Sequence, residues 1–448
     1  MTQALQARLP RGVLAGYAAG SVGTGGFGVL PGLVLAYYLT DTLGVGALLA
    51  AVVVVIPKAV DVVINPLIGA RSDRALARDG RRTGLMWLGC AAIVPLFILT
   101  FCAPVSGSPA VGALWVLILF SLTAAAYACF QVPYIALPAD LTADYDERTR
   151  LISLRIAVLA LTILVVGAGA PAIRDGFGGG AVGYAVMAVV VAAVIGAGMA
   201  AAITWAARPA ADRSTTGRSS GAAAEHRTRD GFDALRTNRH YRILLSVYVI
   251  QALASAVMLA GAQYLATYVL DDSGALTPLF VALVAPALLV MPLWVRFGRR
   301  FGKQRGLAAA GALFLAASAA LGIAITAPGP WVFAAVAVCG VGYAGMQTFP
   351  LAMLPDVIDE QSAATGRDQG GALSGLWTAG ETLGLALGPG LYLLVLAATG
   401  FVSSDADETT EQSGTALAGI AGGFSLLPAA LTLLSLVILH RYREERPQ

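Results

Sequence analysis

Apolar residues fall in twelve long runs along this chain, at roughly 12–40, 43–70, 83–104, 109–138, 150–172, 181–207, 241–270, 276–296, 304–327, 330–355, 369–398 and 415–440. Each is long enough to cross a hydrocarbon core of about 30 Å as a helix. None shows the alternation of apolar and polar residues that a membrane β-barrel requires. The polar stretches between them are short, with one exception. Residues 208–240 are rich in Arg, Ser, Thr and Gly and contain Ser214-Thr215-Thr216-Gly217-Arg218-Ser219-Ser220-Gly221, the composition of a linker. The pattern predicts an all-α membrane protein with a six-helix bundle over 1–207, a cytoplasmic linker over 208–240 and a second six-helix bundle over 241–448. Two basic loops echo one another across that division. Arg71, Arg74, Arg78, Arg81 and Arg82 follow the second span, while Arg296, Arg299, Arg300, Lys303 and Arg305 follow the eighth. Paired bundles of this kind rock about a central site.

Charge fixes the orientation. With both termini in the cytoplasm, 27 of the 29 Lys and Arg fall on the cytoplasmic side, leaving Arg174 in an external loop and Lys58 in the membrane. The external connections carry Asp41, Asp271, Asp272, Asp405, Asp407, Glu408 and Glu411 instead. This is the positive-inside distribution. The net charge of +3 is thus a topology signal, with no bearing on nucleic acid. Composition agrees, because 57% of residues are hydrophobic and only 12% charged, whereas soluble domains carry roughly a quarter charged residues. The first apolar run is far longer than a signal-peptide core of about 7–15 residues, so it is expected to stay in the protein. Abundant Ala and Gly point to a bacterial source with a GC-rich genome, and hence to an inner (plasma) membrane.

Chemistry within the spans narrows the function. Lys58 and Asp61 are charges near the middle of the second span, where an ionisable group costs several kcal/mol by typical insertion scales and marks the handling of an ion, proton or substrate. Three residues apart, they share a helical face. They can form a structural ion pair, or a pair that a cation or proton breaks during a transport cycle. Glu381 in the eleventh span can exchange a proton or bind substrate at a cavity wall. Thr24, Tyr37, Tyr38, Tyr127, Gln131, Tyr134, Gln251, Gln263, Tyr264, Gln347, Trp377 and Thr378 interrupt apolar runs and are candidate cavity groups, Trp377 as a stacking surface for a sugar ring. The other tryptophans fall near span ends, where the interfacial belt accounts for them.

Other classes fit less well. No G-x-x-x-x-G-K-[ST] loop occurs, which disfavours an ATP-driven pump. Gly23-Thr24-Gly25-Gly26-Phe27-Gly28 matches G-x-G-x-x-G, but it lies in an apolar helix and follows no strand, so close helix packing explains it better than a dinucleotide. Cys90, Cys102, Cys129 and Cys339 fall in apolar spans without metal-site spacing, and the three histidines lie in or beside cytoplasmic segments. No enzyme, cofactor or metal centre is expected.

Lys58-Ala-Val-Asp61-Val-Val-Ile64-Asn65-Pro66-Leu67-Ile68-Gly69 followed by Asp73-Arg74 resembles the second-helix signature of the glycoside-pentoside-hexuronide:cation symporters, the melibiose permease group of the major facilitator superfamily. Gln131-Val-Pro133-Tyr134 through Asp140, Phe301-Gly302-Lys303-Gln304-Arg305, and Met353-Leu354-Pro355-Asp356-Val357-Ile358-Asp359 are similar to the same family. The resemblance spans nearly the whole chain. It implies a monomeric symporter in the lipid bilayer that carries a small organic solute, a sugar or glycoside, with H+ or Na+. It further implies a cation site at Asp61 and the positions of Asn65 and Gln131, to which the residues themselves add Lys58 and Glu381 as coupling candidates. Opposite charges among Asp73, Arg74, Asp140, Asp144, Arg148, Arg150, Asp356 and Asp359 would latch a cytoplasmic gate. This chain departs from the pattern at Ile64, Asn65 and Gln131, which leaves one carboxylate and two amide oxygens for a hard cation that prefers more negative charge. Any Na+ would sit at Asp61. A lipid-like amphiphile or secondary metabolite, imported or exported, remains the rival cargo.

Overall fold

Helix α1 (Arg11–Asp41) begins immediately after Pro10 and continues through Pro31, where the backbone widens into a π-helical turn over Pro31–Leu35. A computed structural model describes residues 9–104, 108–142, 144–208, 235–366, 370–404 and 410–442. Most of the expected linker therefore lies outside the described residues. So do Asp405, Asp407 and Glu408 and the side chain of Asp73.

Eleven more long helices follow among the described residues: α2 (Ala47–Asp79), α3 (Thr83–Thr100), α4 (Pro109–Leu141), α5 (Tyr145–Gly176), α6 (Ala181–Ala207), α7 (Arg239–Val269), α8 (Leu276–Phe301), α9 (Lys303–Leu321), α10 (Trp331–Thr365), α11 (Gly370–Ala398) and α12 (Gly414–Leu439). Eleven of the twelve are long and apolar enough to cross a membrane. The apolar stretch of α2 stops at Lys58. Several helices outrun the hydropathy signal. α2 reaches Asp79 before Gly80, at φ +66°, closes it, and α10 reaches Thr365 before Gly366 does the same. Hydropathy reports the thickness of the membrane, whereas the helix ends where a left-handed glycine terminates the backbone hydrogen bonds.

The first six helices pack together, as do the last six. α1 lies against α5 and α6, α4 against α2 and α3, α7 against α11 and α12, and α10 against α8 and α9. α2 on α11 and α5 on α8 join the halves. Close approach depends on glycine. A Cβ on Gly384 would stand 2.7 Å from the Val249 carbonyl oxygen, and one on Gly388 would stand 2.3 Å from Ala256 Cβ, so the face of α11 toward α7 is flush with its backbone. The glycines of α1 behave likewise, Gly23 against Met199 and Gly26 against Ile195, which fits the packing reading of that segment.

The halves echo each other in detail. A π turn interrupts α1 at Pro31–Leu35 and another ends α7 at Leu265–Val269, and α4 and α10 carry prolines at the same spacing, Pro133 and Pro138, Pro350 and Pro355. An even number of helices puts Leu9 and Tyr442 on one face, hereafter proximal. The opposite, distal face holds the connections after α1, α3, α5, α7, α9 and α11.

Candidate functional site

Two polar clusters lie at similar depth, one in each half. α2 crosses α11 where Gly390 admits Val55, whose Cγ2 would stand 2.4 Å from an added Cβ. Asp61 follows Val55 by six residues and Glu381 precedes Gly390 by nine. At 1.5 Å per residue both carboxylates lie on the proximal side of that crossing, roughly 9 and 13 Å from it.

In the first cluster Asp61 is 7% exposed, and its Oδ1 is buried without a hydrogen-bond partner. Lys58 makes no ion pair with it within 4.0 Å. The ammonium instead stands 5.8 Å from the centroid of the Phe27 ring and 6.0 Å from that of Phe120. Ring faces attract cations, so the shared helical face has not produced the contact pair that the sequence allowed. Tyr127 packs on Phe27 with ring centroids 4.4 Å apart and planes tilted by 30°, and is half-buried, within electrostatic reach of both Asp61 and Arg155. Gln131 Oε1 is buried without a partner, and Asn65 is half-buried. Tyr134 is committed to structure. It is fully buried, its hydroxyl donates to the Tyr17 carbonyl at 2.6 Å, and its ring lies beneath the Arg155 guanidinium at 5.4 Å. Thr24 is buried, its hydroxyl turned back to the Ser21 carbonyl at 3.5 Å.

Sequence reasoning missed Arg155. Counted with the cytoplasmic arginines, it lies inside α5, its Nε buried without a hydrogen-bond partner. Five residues beyond Arg150, it falls where a positive charge reads equally as loop edge or span interior. The available signal was its place in a continuous apolar helix.

The second cluster surrounds Glu381, which is half-buried beside Tyr248 and Tyr343. Trp377 is 2% exposed and stacks on Tyr248, ring centroids 4.5 Å apart. Gln347 donates to the Tyr343 hydroxyl at 2.8 Å. Thr378 is exposed, its hydroxyl donating to the Ser374 carbonyl at 3.1 Å. Gln251 lies deeper, 2% exposed, and donates to Ser435 at 3.3 Å.

Tyr37, Tyr38, Gln263 and Tyr264 lie elsewhere, in a packed closure at the distal face. Tyr264 and Thr40 share a hydrogen bond of 2.7 Å, Tyr37 meets Tyr264 edge to face at 5.2 Å, and the Tyr38 hydroxyl accepts from the Ala103 amide at 3.1 Å. Tyr268 donates to Asp41 and exchanges a hydrogen bond of 3.1 Å with Ser404. Arg174, expected in an external loop, is instead in the last turn of α5 and only 2% exposed. It is held there by Asp175 at 2.6 Å, the Tyr184 hydroxyl at 3.3 Å and Gln263 Oε1 at 2.9 Å, which together satisfy a guanidinium that would otherwise seek water. The sequence signal for this closure was Asp41 and Arg174 at span ends with Thr and Tyr beside them.

Among the described residues, several proximal charges pair within their own halves. Arg82 donates to Asp140 at 3.0 Å and to Ser72 at 2.8 Å, Arg150 meets Glu147 at 3.5 Å, and Lys303 meets Asp356 at 2.6 Å. Asp144 caps α5 by accepting the Glu147 amide at 2.9 Å, Arg148 donates to the Thr142 carbonyl at 3.3 Å, and Arg74 donates to its own helix at Ala70. Asp359 is exposed. Hydrogen bonds between the two halves, among the described residues, all lie at the distal face.

Residues 16–446 match the family described as MFS/sugar transport protein. The chain is 24% identical over 434 residues to the uncharacterized symporter YnaJ of Bacillus subtilis, covering 95% of this chain and 90% of that protein. It is 26% identical over 360 residues to the sodium-dependent lysophosphatidylcholine symporter 1 of Mus musculus, covering 73% and 66%. Its fold is similar to that of a D-xylose-proton symporter crystal structure, with a TM-score of 0.71, 12% identity and coverage of 97% of this chain and 98% of that one.

Proposed function

The chain belongs to the MFS/sugar transport protein family, and from that premise we propose that it is a cation-coupled symporter of a sugar or glycoside, working by alternating access. Transport by a major facilitator fold, without enzyme chemistry, is common to the matched family and the fold neighbours. The finer reading rests on one observation above all. Asp61 is a buried carboxylate at the membrane's depth with an oxygen that no protein donor satisfies. A buried anion in that condition is costly unless something fills the vacancy during the cycle. A proton or a cation supplies that charge, and the half-buried Tyr127, Gln131, Gln347 and Glu381 supply hydroxyl, amide and carboxylate groups for a polyhydroxylated solute.

With both termini in the cytoplasm, as the arginine distribution supports, the distal closure is external and shuts the outer entrance. The cation would meet Asp61, with Asn65 and Gln131 as neutral oxygen donors nearby and Lys58 withdrawn onto its aromatic seat. A second reading, an amphiphile as cargo, is favoured by the relative named for lysophosphatidylcholine. Counterflow into proteoliposomes, with labelled glycosides in one set and labelled lysophospholipids in another, separates the two. Exchange of a glycoside, together with gradient-driven accumulation that is lost in Asp61→Asn, supports the first reading. Exchange of lysophospholipid alone supports the second, and exchange of neither overturns both.

A further inference from the structure

The distal closure is built from unlike partners. The first half contributes three charged groups, Asp41 at the end of α1 and the paired Arg174 and Asp175 at the end of α5. The second half bonds to Asp41 and Arg174 through neutral groups: Tyr268 to Asp41, and Gln263 to Arg174. Thr40 with Tyr264, the Ser404 amide on the Thr40 carbonyl at 3.0 Å and the Ser403 hydroxyl on the Val45 carbonyl at 2.8 Å complete the seam. Asp41 and Arg174 make no ion pair within 4.0 Å, although each lies in the other's electrostatic field.

Separating the halves removes Tyr268 from Asp41 and Gln263 from Arg174 at once. Each then loses one charge-assisted bond, with Thr40 still on Asp41 and with Asp175 and Tyr184 still on Arg174. Both belong to the same half, however, and so can turn to each other. We propose that the closure is a partner-exchange latch: Asp41 and Arg174 bind Tyr268 and Gln263 when the distal entrance is shut, and bind each other when it opens. Asp175 holds the guanidinium on the first half throughout. The π turns at Pro31–Leu35 and Leu265–Val269 lie just before Asp41 and just around Tyr268, where a wider, less regular helix can absorb the rotation. This proposal rests on the transporter reading.

The latch makes opposite predictions for its two sides. Tyr268→Phe and Gln263→Ala remove bonds made only when shut, so the open population should rise, by about tenfold for loss of a hydrogen bond to a charged group. Arg174→Gln keeps an amide that can still meet Gln263 but removes the ion pair made when open, so in Tyr268→Phe/Arg174→Gln the rise should disappear. The readout is the distance distribution between spin labels at Ala110→Cys and Ala327→Cys, both exposed on the distal face, with the four native cysteines replaced by alanine. A pair across the proximal face, moving in the reverse sense, verifies that each variant is folded and cycling. Unchanged distal distances in both single variants would overturn the latch. So would a lengthening that survives Arg174→Gln. Either result leaves the transport reading intact, because the distances do not depend on the solute.

Discussion

Asp61 was legible as a single letter, because a carboxylate in an apolar run of helical length has few structural reasons to be there. Its relation to Lys58 was not. Helical spacing puts the two on one face, yet the ammonium lies over Phe27 and Phe120, a choice made by rings from α1 and α4 that no local pattern in α2 records. Asp61→Asn should abolish concentrative uptake in proteoliposomes, while surface expression and chromatographic behaviour match the parent. Uptake at the parent level would make Asp61 structural. Arg155 gives a second test at this scale. Its guanidinium sits over Tyr134 beside the Asp61 cluster without a carboxylate partner within 4.0 Å, so Arg155→Lys, which keeps the charge and loses the planar fork, should raise the apparent KM about tenfold with little change in melting temperature. An unchanged KM would remove Arg155 from the solute path.

At the scale of the helix, the order and number of spans were readable because burial in lipid demands long apolar runs that satisfy their own backbone. Where those helices end was less readable, since caps such as Gly80 and Gly366 lie well beyond the apolar stretch. Which side chains would face a cavity was less readable again. Tyr37, Gln263 and Tyr264 interrupt apolar runs just as Tyr127 and Gln347 do, but depth along the helix assigns the first three to the distal closure. Glycine spacing was a signal left unread. Gly380, Gly384 and Gly388 fall four residues apart on α11, and there α7 makes its close approach. Gly388→Val should therefore overpack the seam and destabilise by about 1–3 kcal/mol, visible as a lower melting temperature in detergent. Gly422→Ala, with nothing within 4 Å of the new methyl group, should leave melting unchanged or raise it. Equal behaviour of the two variants would show that the α7–α11 approach is not close.

For the whole molecule, the repeated basic loops suggested two six-helix halves, but the state of the machine could not be read from them. A sequence contains the groups for every stage of a cycle. This structure holds one stage, with bonds between the halves at the distal face and proximal charges such as Lys303 and Asp356 paired within one half. We propose a proton as the coupling ion, on the same asymmetry between charge and its partners. A sodium ion at Asp61 would find one carboxylate, with Asn65 and Gln131 offering neutral oxygen and Ile64 none, a thin shell for a cation that prefers several charged or strongly polar oxygens. A proton needs only one oxygen, and Asp61 Oδ1 is buried and unpartnered. Glu381, beside Tyr248 and Tyr343 in the other half, is the alternative carrier. With protons as the driver, a carrier that loads on the acidic side and releases on the alkaline side makes an imposed pH gradient, acidic outside, drive solute inward. Proteoliposomes given a proton gradient without sodium should therefore accumulate solute, and those given a sodium gradient at uniform pH should not. If Asp61 is the carrier, Asp61→Asn should retain solute exchange but lose accumulation, and Glu381→Gln should do so if Glu381 carries the proton. Accumulation that follows sodium and ignores pH would refute the proton assignment and would require Asn65 and Gln131 to complete a sodium shell.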